Sequence, residues 1–442
     1  GDNGRSASAA LPLSLPHNSP EVLDFSWKVP ARRGWSQPYW LRSPPDDALY
    51  KVPDQRLRGL AETPPVLRAA IGLKIDSHAI SMSRPVWRRY VDRTRGELTR
   101  PLEVVPPVAV SFSENAIIFP DERSRTVVVE LESNVAKTSG NIRLETPAGW
   151  RVEPQSQPFE LPQAGQRKSL AFDITPPPGD SQVHIRAIAD VDGQEISSGV
   201  RVIDYPHIQP QTMFPPAAAS FVRGEIRNLA QRVGYVMGAG DRIPESLRQI
   251  GAEVTLLDDG ALAHGDLSRF DAIVTGVRAY NVRPDLLANQ HRLLEYVRNG
   301  GTLIVQYNVL ERGGRGASPL DQIGPYPIEI GRDRVTVEEA PVDFPNPDHP
   351  LLQSPNRITS GDFQGWVQER GLYFASSWDK RYESLFSSHD PGESPLPGGI
   401  LFTRYGKGAY IFTGYSWFRQ LPASVPGAYR IFANLLSAGK AE

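Results

Sequence analysis

The chain has no cysteine in 442 residues. That excludes disulfides, thiolate metal sites and cysteine nucleophiles, and it leaves the compartment open. No apolar run approaches the roughly 18 residues that a membrane-crossing helix needs. No charge of one sign dominates, since 48 Lys and Arg stand against 50 Asp and Glu, a formal net charge of -2. So even a balance argues against a nucleic-acid partner and against polybasic attachment to a membrane. The eight histidines show no HExxH or paired-ligand spacing. Asp348-His349-Pro350 has the look of a ligand triplet, but it lies in a proline-rich run and reads as a turn. No metal and no cofactor is therefore expected. Residues 1–20 lack a basic segment followed by an apolar block, so no signal peptide is legible and the chain reads as a mature or truncated product.

What is abundant is proline and glycine, 41 and 38 residues. They punctuate many short runs, as in secreted multidomain β proteins, and suggest an extracellular setting. Residues 1–20 read as a disordered tail, small, polar and proline-punctuated. Residues 21–105 read as an incomplete β domain. They offer two strands, Val66–Ile75 and Pro85–Val91, against five large aromatics, Trp27, Trp35, Tyr39, Trp40 and Trp87. Residues 106–204 carry short β-rich runs at Val108–Phe112, Thr126–Leu131, Asn141–Glu145, Lys168–Ile174, Val183–Val191 and Ser197–Ile203. Turn signals such as Pro147-Ala148-Gly149 and Asp192-Gly193 separate them, so the segment reads as an immunoglobulin-like sandwich with Trp150 plugging its core. Residues 205–216 form a proline-rich linker.

From 217 to 442 the pattern changes to apolar runs alternating with amphipathic helices. Strands are expected at Arg232–Met237, Glu253–Leu257, Asp271–Thr275 and Thr302–Gln306, and helices at Arg242–Ile250 and Leu286–Arg298. Gly399–Thr403 and Gly408–Gly414 read as a hairpin and Ala428–Ala438 as a closing helix. This is the signature of a doubly wound α/β domain with a parallel sheet. The fold class is thus multidomain α+β, N-terminal β domains followed by the α/β domain. Such a sheet binds ligands outside the carboxyl ends of its strands.

Candidate residues follow from that rule. Gly238-Ala239-Gly240-Asp241 follows the first strand. The glycines permit close backbone approach to an anion, or else Asp241 caps the helix near Pro244. Arg278, Tyr280 and Asn281 follow the third strand and Gln306, Tyr307 and Asn308 the fourth. They offer donors and aromatic faces suited to a sugar, or else they pin the loops as a polar network. A nucleophilic residue with a histidine and a carboxylate nearby is missing from that turn. Ser416 and His389 are present with no spacing that couples them. The segment GDFQGWVQERGLYF (Gly361–Phe374) is too polar for a core strand and too aromatic for a plain loop. Within it Trp366 offers a stacking face and Gln368 and Glu369 acceptors for hydroxyls, as a lid or wall over the crevice. Alternatively Trp366 fills the hydrophobic seam between domains. Asp362, Glu369, Asp390 and Glu393 can supply a carboxylate pair for acid–base work, against which Arg334, Arg370 and Arg419 favour ion pairing.

Several strings together resemble the C-terminal region of large bacterial PIG-L (LmbE-like) deacetylases. They are PLEVVPPVAV (Pro101–Val110), VGYVMGAGD (Val233–Asp241), GVRAYN (Gly276–Asn281), GGTLIVQYN (Gly300–Asn308), GPYP (Gly324–Pro327), GDFQGWVQERGLYF and RQLPASVPGAYR (Arg419–Arg430), with Ser36-Gln37-Pro38-Tyr39-Trp40-Leu41 in the first segment. The resemblance spans roughly residues 35–438. It implies that the α/β domain is amidotransferase-like (flavodoxin-like) and accompanies a zinc-dependent N-deacetylase domain. The AHPDD-type zinc motif is absent, because Ser43-Pro44-Pro45-Asp46-Asp47 lacks the histidine. Gln306-Tyr307-Asn308 stands where active amidotransferases place their cysteine, so no triad carries over. The resemblance implies a non-catalytic, carbohydrate-recognising accessory portion. Its expected partners are the deacetylase-bearing segment of the parent protein and a glycan or amino sugar, with a homo-oligomer also open. A hydrolase working from Asp241, Glu369 and their neighbours, or a purely structural scaffold, are the alternatives.

Overall fold

Alternation of inward and outward side chains builds the first core. In the computed structural model, residues 33–46, 49–310 and 323–440 are described, with 17, 18, 22, 26, 27, 29 and 30. The tail expected at 1–20 lies, apart from 17 and 18, outside the described residues. Two hairpins come first, β1 (Arg68–Ile75) with β2 (His78–Pro85), and β3 (Trp87–Asp92) with β4 (Gly96–Pro101). Four strands thus form where the sequence reading counted two. Asp76, at a left-handed φ of 53°, supplies the turn that folds the chain back into β2.

The next strands are β5 (Val108–Phe112), β6 (Ala116–Phe119), β7 (Arg125–Ser133), β8 (Thr138–Glu145), β9 (Arg151–Glu153), β10 (Ser156–Leu161), β11 (Arg167–Thr175), β12 (Ser181–Val191) and β13 (Gln194–Ile196). After them come β14 (Arg201–Ile203), β15 (Gln211–Met213) and β16 (Ala218–Arg223). One sheet runs β10-β8-β12-β16-β6 with β13 on β12, and the other β5-β7-β11-β9. Buried residues alternate along β7 and β11, and Val129, Leu131, Phe172 and Ile174 meet Ile142, Phe159, Ile185 and Phe221 in one core. Trp150 is buried there, edge-on to Phe119 at 5.2 Å, with its Nε1 donating to Ser181 Oγ at 3.2 Å. β16 belongs to this sheet, pairing with β12 and, in parallel, with β6. The β-sandwich therefore extends past the boundary drawn at 217, and the expected linker contains β15, paired with β14.

The second large sheet contains β17 (Arg232–Val236), β18 (Glu253–Leu256), β19 (Ala272–Thr275) and β20 (Thr302–Gln306). Between them lie α1 (Ile243–Gln249), α2 (Asp259–His264), α3 (Ala279–Val282), α4 (Pro284–Ala288) and α5 (Gln290–Arg298). The helix expected at Leu286–Arg298 is broken at Asn289, whose Nδ2 donates to the Asp285 carbonyl at 2.8 Å in competition with the helix backbone. Short pieces follow: β21 (Ile328–Ile330), β22 (Arg334–Val335), β23 (Val342–Asp343), α6 (Pro350–Gln353), β24 (Gly371–Leu372), β25 (Ala375–Trp378), β26 (Glu383–Ser384) and β27 (Ser387–Ser388). The chain closes with β28 (Ile400–Tyr405), β29 (Gly408–Thr413), α7 (Trp417–Gln420) and α8 (Pro426–Leu436). The sheet order is β18-β17-β19-β20-β29-β28-β26, the first five strands parallel. Alternate residues go to opposite faces. Tyr235, Val274, Ile304 and Ile411 meet α1 and α8, whereas Ile273, Leu303, Val305 and Phe412 meet α4 and α5. A sheet covered on both faces is why these strands read as unbroken apolar runs. The whole is a multidomain, β-rich protein with several separate sheets.

The two large sheets are joined through Gln249 at the end of α1. Its Oε1 accepts from the Ile118 amide at 2.7 Å, and its Nε2 donates to Glu114 Oε2 at 2.9 Å and to the Ala116 carbonyl at 3.0 Å. Ile118 and Val222 face away from the sandwich core into the core shared with α1 and α8.

Candidate functional site

The carboxyl ends of β17, β19, β20 and β29 lie along one edge. Between the first two there is no open crevice. The Ala239 amide donates to the Val277 carbonyl at 2.8 Å, and a Cβ at Gly238 would collide with that same oxygen. Gly238 therefore lets two loops touch, which corrects the reading of Gly238-Ala239-Gly240 as an anion cradle. Asp241 ties the same loops together. It accepts from Tyr235 Oη at 2.7 Å and from the amides of Ile243 at 3.1 Å and Val277 at 3.2 Å. Burial first, and the Asp241 carboxylate second, push the Tyr235 phenol well above its ordinary value, so it stays a donor.

The loops after β19 and β20 do meet. Arg278 donates its amide to the Tyr307 carbonyl at 2.9 Å, and the Tyr280 amide donates to Asn308 Oδ1 at 3.0 Å. Asn281 and Val309 exchange two bonds of 2.8 Å. Asn308 Nδ2 donates to the Gln306 carbonyl at 2.9 Å, and Tyr280 Oη donates to Gln290 Oε1 at 2.5 Å. Gln306 Nε2 donates to Tyr235 Oη at 3.1 Å. Tyr280, Gln306 and Asn308 are buried, so these three brace the loops from beneath. What the bracing leaves at the surface is the exposed Arg278, in a left-handed conformation (φ 57°), above the buried Tyr307.

The Gly361–Phe374 segment lies along this edge. The Leu372 amide donates to the Gly414 carbonyl and the Ser416 amide to the Arg370 carbonyl, both at 2.9 Å. Arg370 is buried, its guanidinium held by the carbonyls of Ala340 and Phe363. Trp366 is buried too. It packs against Phe363 at 5.4 Å, Trp417 at 5.4 Å and Tyr415 at 5.8 Å, and donates Nε1 to the Asp362 carbonyl. These contacts all lie within the α/β domain, so Trp366 is part of that domain's own core. Glu369 accepts from Arg419 Nε at 2.8 Å and from Ser416 Oγ at 3.1 Å, and Gln368 Oε1 accepts from Arg419 as well. Tyr373 stacks parallel to Tyr307 at 5.9 Å, with Phe418 on Tyr307 at 5.5 Å. Burial pushes the Tyr307 phenol up, a trend that the Arg278 and Arg419 charges oppose.

A patch results in which the half-buried Tyr373 and Phe418 pack on the buried Tyr307, flanked by two guanidinium groups, one carboxylate and one amide. Ring packing and charged hydrogen bonding are the two kinds of contact these side chains offer. Of the residues predicted, the patch gathers Arg278, Tyr307, Gln368 and Glu369. It leaves Asp241, Tyr280, Asn281, Gln306 and Asn308 as supports and Trp366 in the core. Tyr373 and Phe418 were missed as members, and Arg419 was read only as an ion-pair partner. Their aromatic and basic strings were visible, but contacts between residues 307, 373 and 418 cannot be read from spacing. Ser416 and His389 remain apart, the first bonded to Glu369 and the second, through Nδ1, facing the Asp390 carbonyl at 3.0 Å. Asp390 itself receives the amides of Thr336 and Val337. Among the described residues no group of three or more His, Asp or Glu is arranged to hold a metal ion.

No family model matches the chain, and no curated protein matches it in sequence. Among solved structures it is similar to an exo-β-1,4-mannosidase from Opitutaceae bacterium strain TAV5, at 13% identity and TM-score 0.27, over 48% of this chain and 36% of that one. It is similar to WR4, a C. elegans MSP family member, at 10% identity and TM-score 0.16, over 26% of this chain and 98% of that one. A family 123 glycoside hydrolase from Clostridium perfringens matches at 8% identity and TM-score 0.17, over 46% of this chain and 38% of that one. The chain thus spans little more than a third of the length of either glycosidase, and likenesses this slight carry no argument about function.

Proposed function

We propose that this chain is a non-catalytic accessory portion of a PIG-L-type zinc-dependent N-deacetylase and recognises the N-acetylated sugar on which the parent enzyme acts. The observation that carries the reading is the patch of Tyr307, Tyr373 and Phe418 flanked by Arg278, Glu369 and Arg419, at the edge where an open α/β sheet receives ligands. The strand order β18-β17-β19-β20-β29 supports an amidotransferase-like, flavodoxin-like domain, since it follows the 2-1-3-4-5 pattern. The two facing sheets of the sandwich support the immunoglobulin-like reading. By the resemblance, Gln306-Tyr307-Asn308 stands where active amidotransferases place their cysteine, and the Tyr307 phenol, kept protonated by burial, is a poor nucleophile. The partner is the deacetylase-bearing segment, and the setting is periplasmic or extracellular. The β1–β2 and β3–β4 hairpins, with Ile71, Ile80 and Val91 exposed, are the surface on which that segment or a second copy would pack.

Calorimetric titration with tri-N-acetylchitotriose tests the reading. Saturable binding is expected, weakened roughly ten-fold by Tyr373→Ala, with no zinc-dependent release of acetate from the sugar by the chain alone. Absence of binding, or chelator-sensitive acetate release, overturns it.

A further inference from the structure

A cleft far along the chain from the sheet edge has its own chemistry. Its volume is about 260 Å³, and it is walled by segments around residues 33–42, 62–68, 85–87, 101–103 and 209–212. The walls are drawn together by side chains distant in sequence. Ser36 and Val104 exchange two bonds of 2.8 Å, Gln211 Nε2 donates to Glu62 at 3.0 Å, and Arg100 Nη2 donates to Glu103 at 2.7 Å and Thr212 Oγ1 at 3.3 Å. Trp35 and Trp87 both line the cleft and both keep ring surface in solvent. The lining carries Arg33, Arg42 and Arg68 against Glu62 and Glu103, an excess of positive charge. Glu103 is paired with Arg100, and Glu62 accepts from the neutral Gln211 amide. Among the described residues Arg68 meets only the neutral Ser83 hydroxyl, at 2.9 Å, and the exposed Arg42 has no hydrogen bond or ion pair. Two guanidinium groups without an acidic partner among the described residues thus line the same cleft as two indoles.

We propose that this cleft binds an acidic saccharide, with the apolar faces of its pyranose rings on Trp35 and Trp87 and its carboxylate on Arg42 and Arg68. A carboxylate matches a guanidinium fork in shape as well as charge. The volume suits roughly one or two rings, the end of a chain or a single branch. A peptide fits less well. Pro64, Pro65, Pro85, Pro101 and Pro210 line the cleft, and proline has no N–H with which to pair an added strand. A proline-rich peptide would dock on the indoles but leave both guanidinium groups unmatched. The site is separate from the sheet-edge patch, so it stands or falls independently of the N-acetylated-sugar reading.

The test uses the full chain and calorimetry at low salt, with tri-galacturonic acid, an N-acetylglucosamine–N-acetylmuramic acid disaccharide, tri-N-acetylchitotriose and a decaproline peptide as probes. Binding of the first or the second is expected, and which of them binds identifies uronate or lactyl ether as the source of the carboxylate. The Arg42→Gln variant removes no hydrogen bond or ion pair to any described residue, so its fold is expected to hold. It should weaken acidic-sugar binding at least ten-fold, whereas Tyr373→Ala should leave it unchanged. The proposal is overturned if neither acidic sugar binds. It is equally overturned if decaproline or the neutral trimer binds in the cleft as tightly as the acidic sugars, or if Arg42→Gln has no effect.

Discussion

At the scale of single residues, the environment decided roles that residue type left open. Trp366 sits among Gln364, Gly365 and Gln368, a neighbourhood that in sequence reads as a surface loop, yet its indole lies in the core beside Arg370, 5.4 Å from that guanidinium. Trp366→Ala should lower unfolding stability by about 3–5 kcal/mol and leave sugar affinity unchanged. Denaturant unfolding and calorimetry on the same sample check both halves, and weakened sugar binding by a folded variant would return the ring to the site. His349 makes a second case. Its Nδ1 accepts the Leu351 amide at 3.2 Å, its ring lies 5.0 Å from Phe402, and burial holds its pKa below the ordinary value although Glu383 at 3.8 Å opposes this. The unfolded chain therefore takes up this proton at a higher pH than the folded one does. Stability from this site is complete above the unfolded-state pKa and is lost as pH falls through the lower folded value. Urea midpoints measured between about pH 7 and about pH 5 should fall, and fall less steeply in His349→Gln. An identical slope in both proteins would show that His349 does not contribute.

At the scale of elements, strands with strong alternation or unbroken apolar runs were legible, and irregular ones were not. Val108–Phe112 and Thr302–Gln306 were read to the residue. β6, only four residues long, and β10, interrupted by Pro158, were missed because neither gives a period long enough to count. β16 was taken for the start of the next domain, since nothing local reveals that it pairs with β12 and β6. Of the glycines after β17, Gly238 serves the approach of a neighbouring loop, where the sequence left open the approach of an anion. A glycine that lets a phosphate approach and one that lets a neighbouring loop approach look alike in sequence. Gly238→Ala should consequently cost about 1–3 kcal/mol, because the Val277 carbonyl must move to admit the methyl group. Thermal unfolding measures this, and a melting temperature equal to the parent's would mean that the two loops are not held in contact.

At the scale of the whole molecule, the even charge, the hairpins with exposed apolar residues and the sheet-edge patch fit a chain that works by contact. Gln249 couples the sandwich to the parallel sheet, and Ile118 and Val222 carry one core into the other. A ligand bound at the edge, as proposed, would meet a braced platform, with Tyr280, Gln306 and Asn308 beneath it. The measurement that bears most directly on the central claim is hydrogen–deuterium exchange of the full chain with and without tri-N-acetylchitotriose. Slowed exchange is predicted in three stretches, residues 276–281, 368–374 and 414–420, with the sandwich strands unchanged. Protection confined to other parts of the chain, or no protection at saturating sugar, would contradict recognition at this edge.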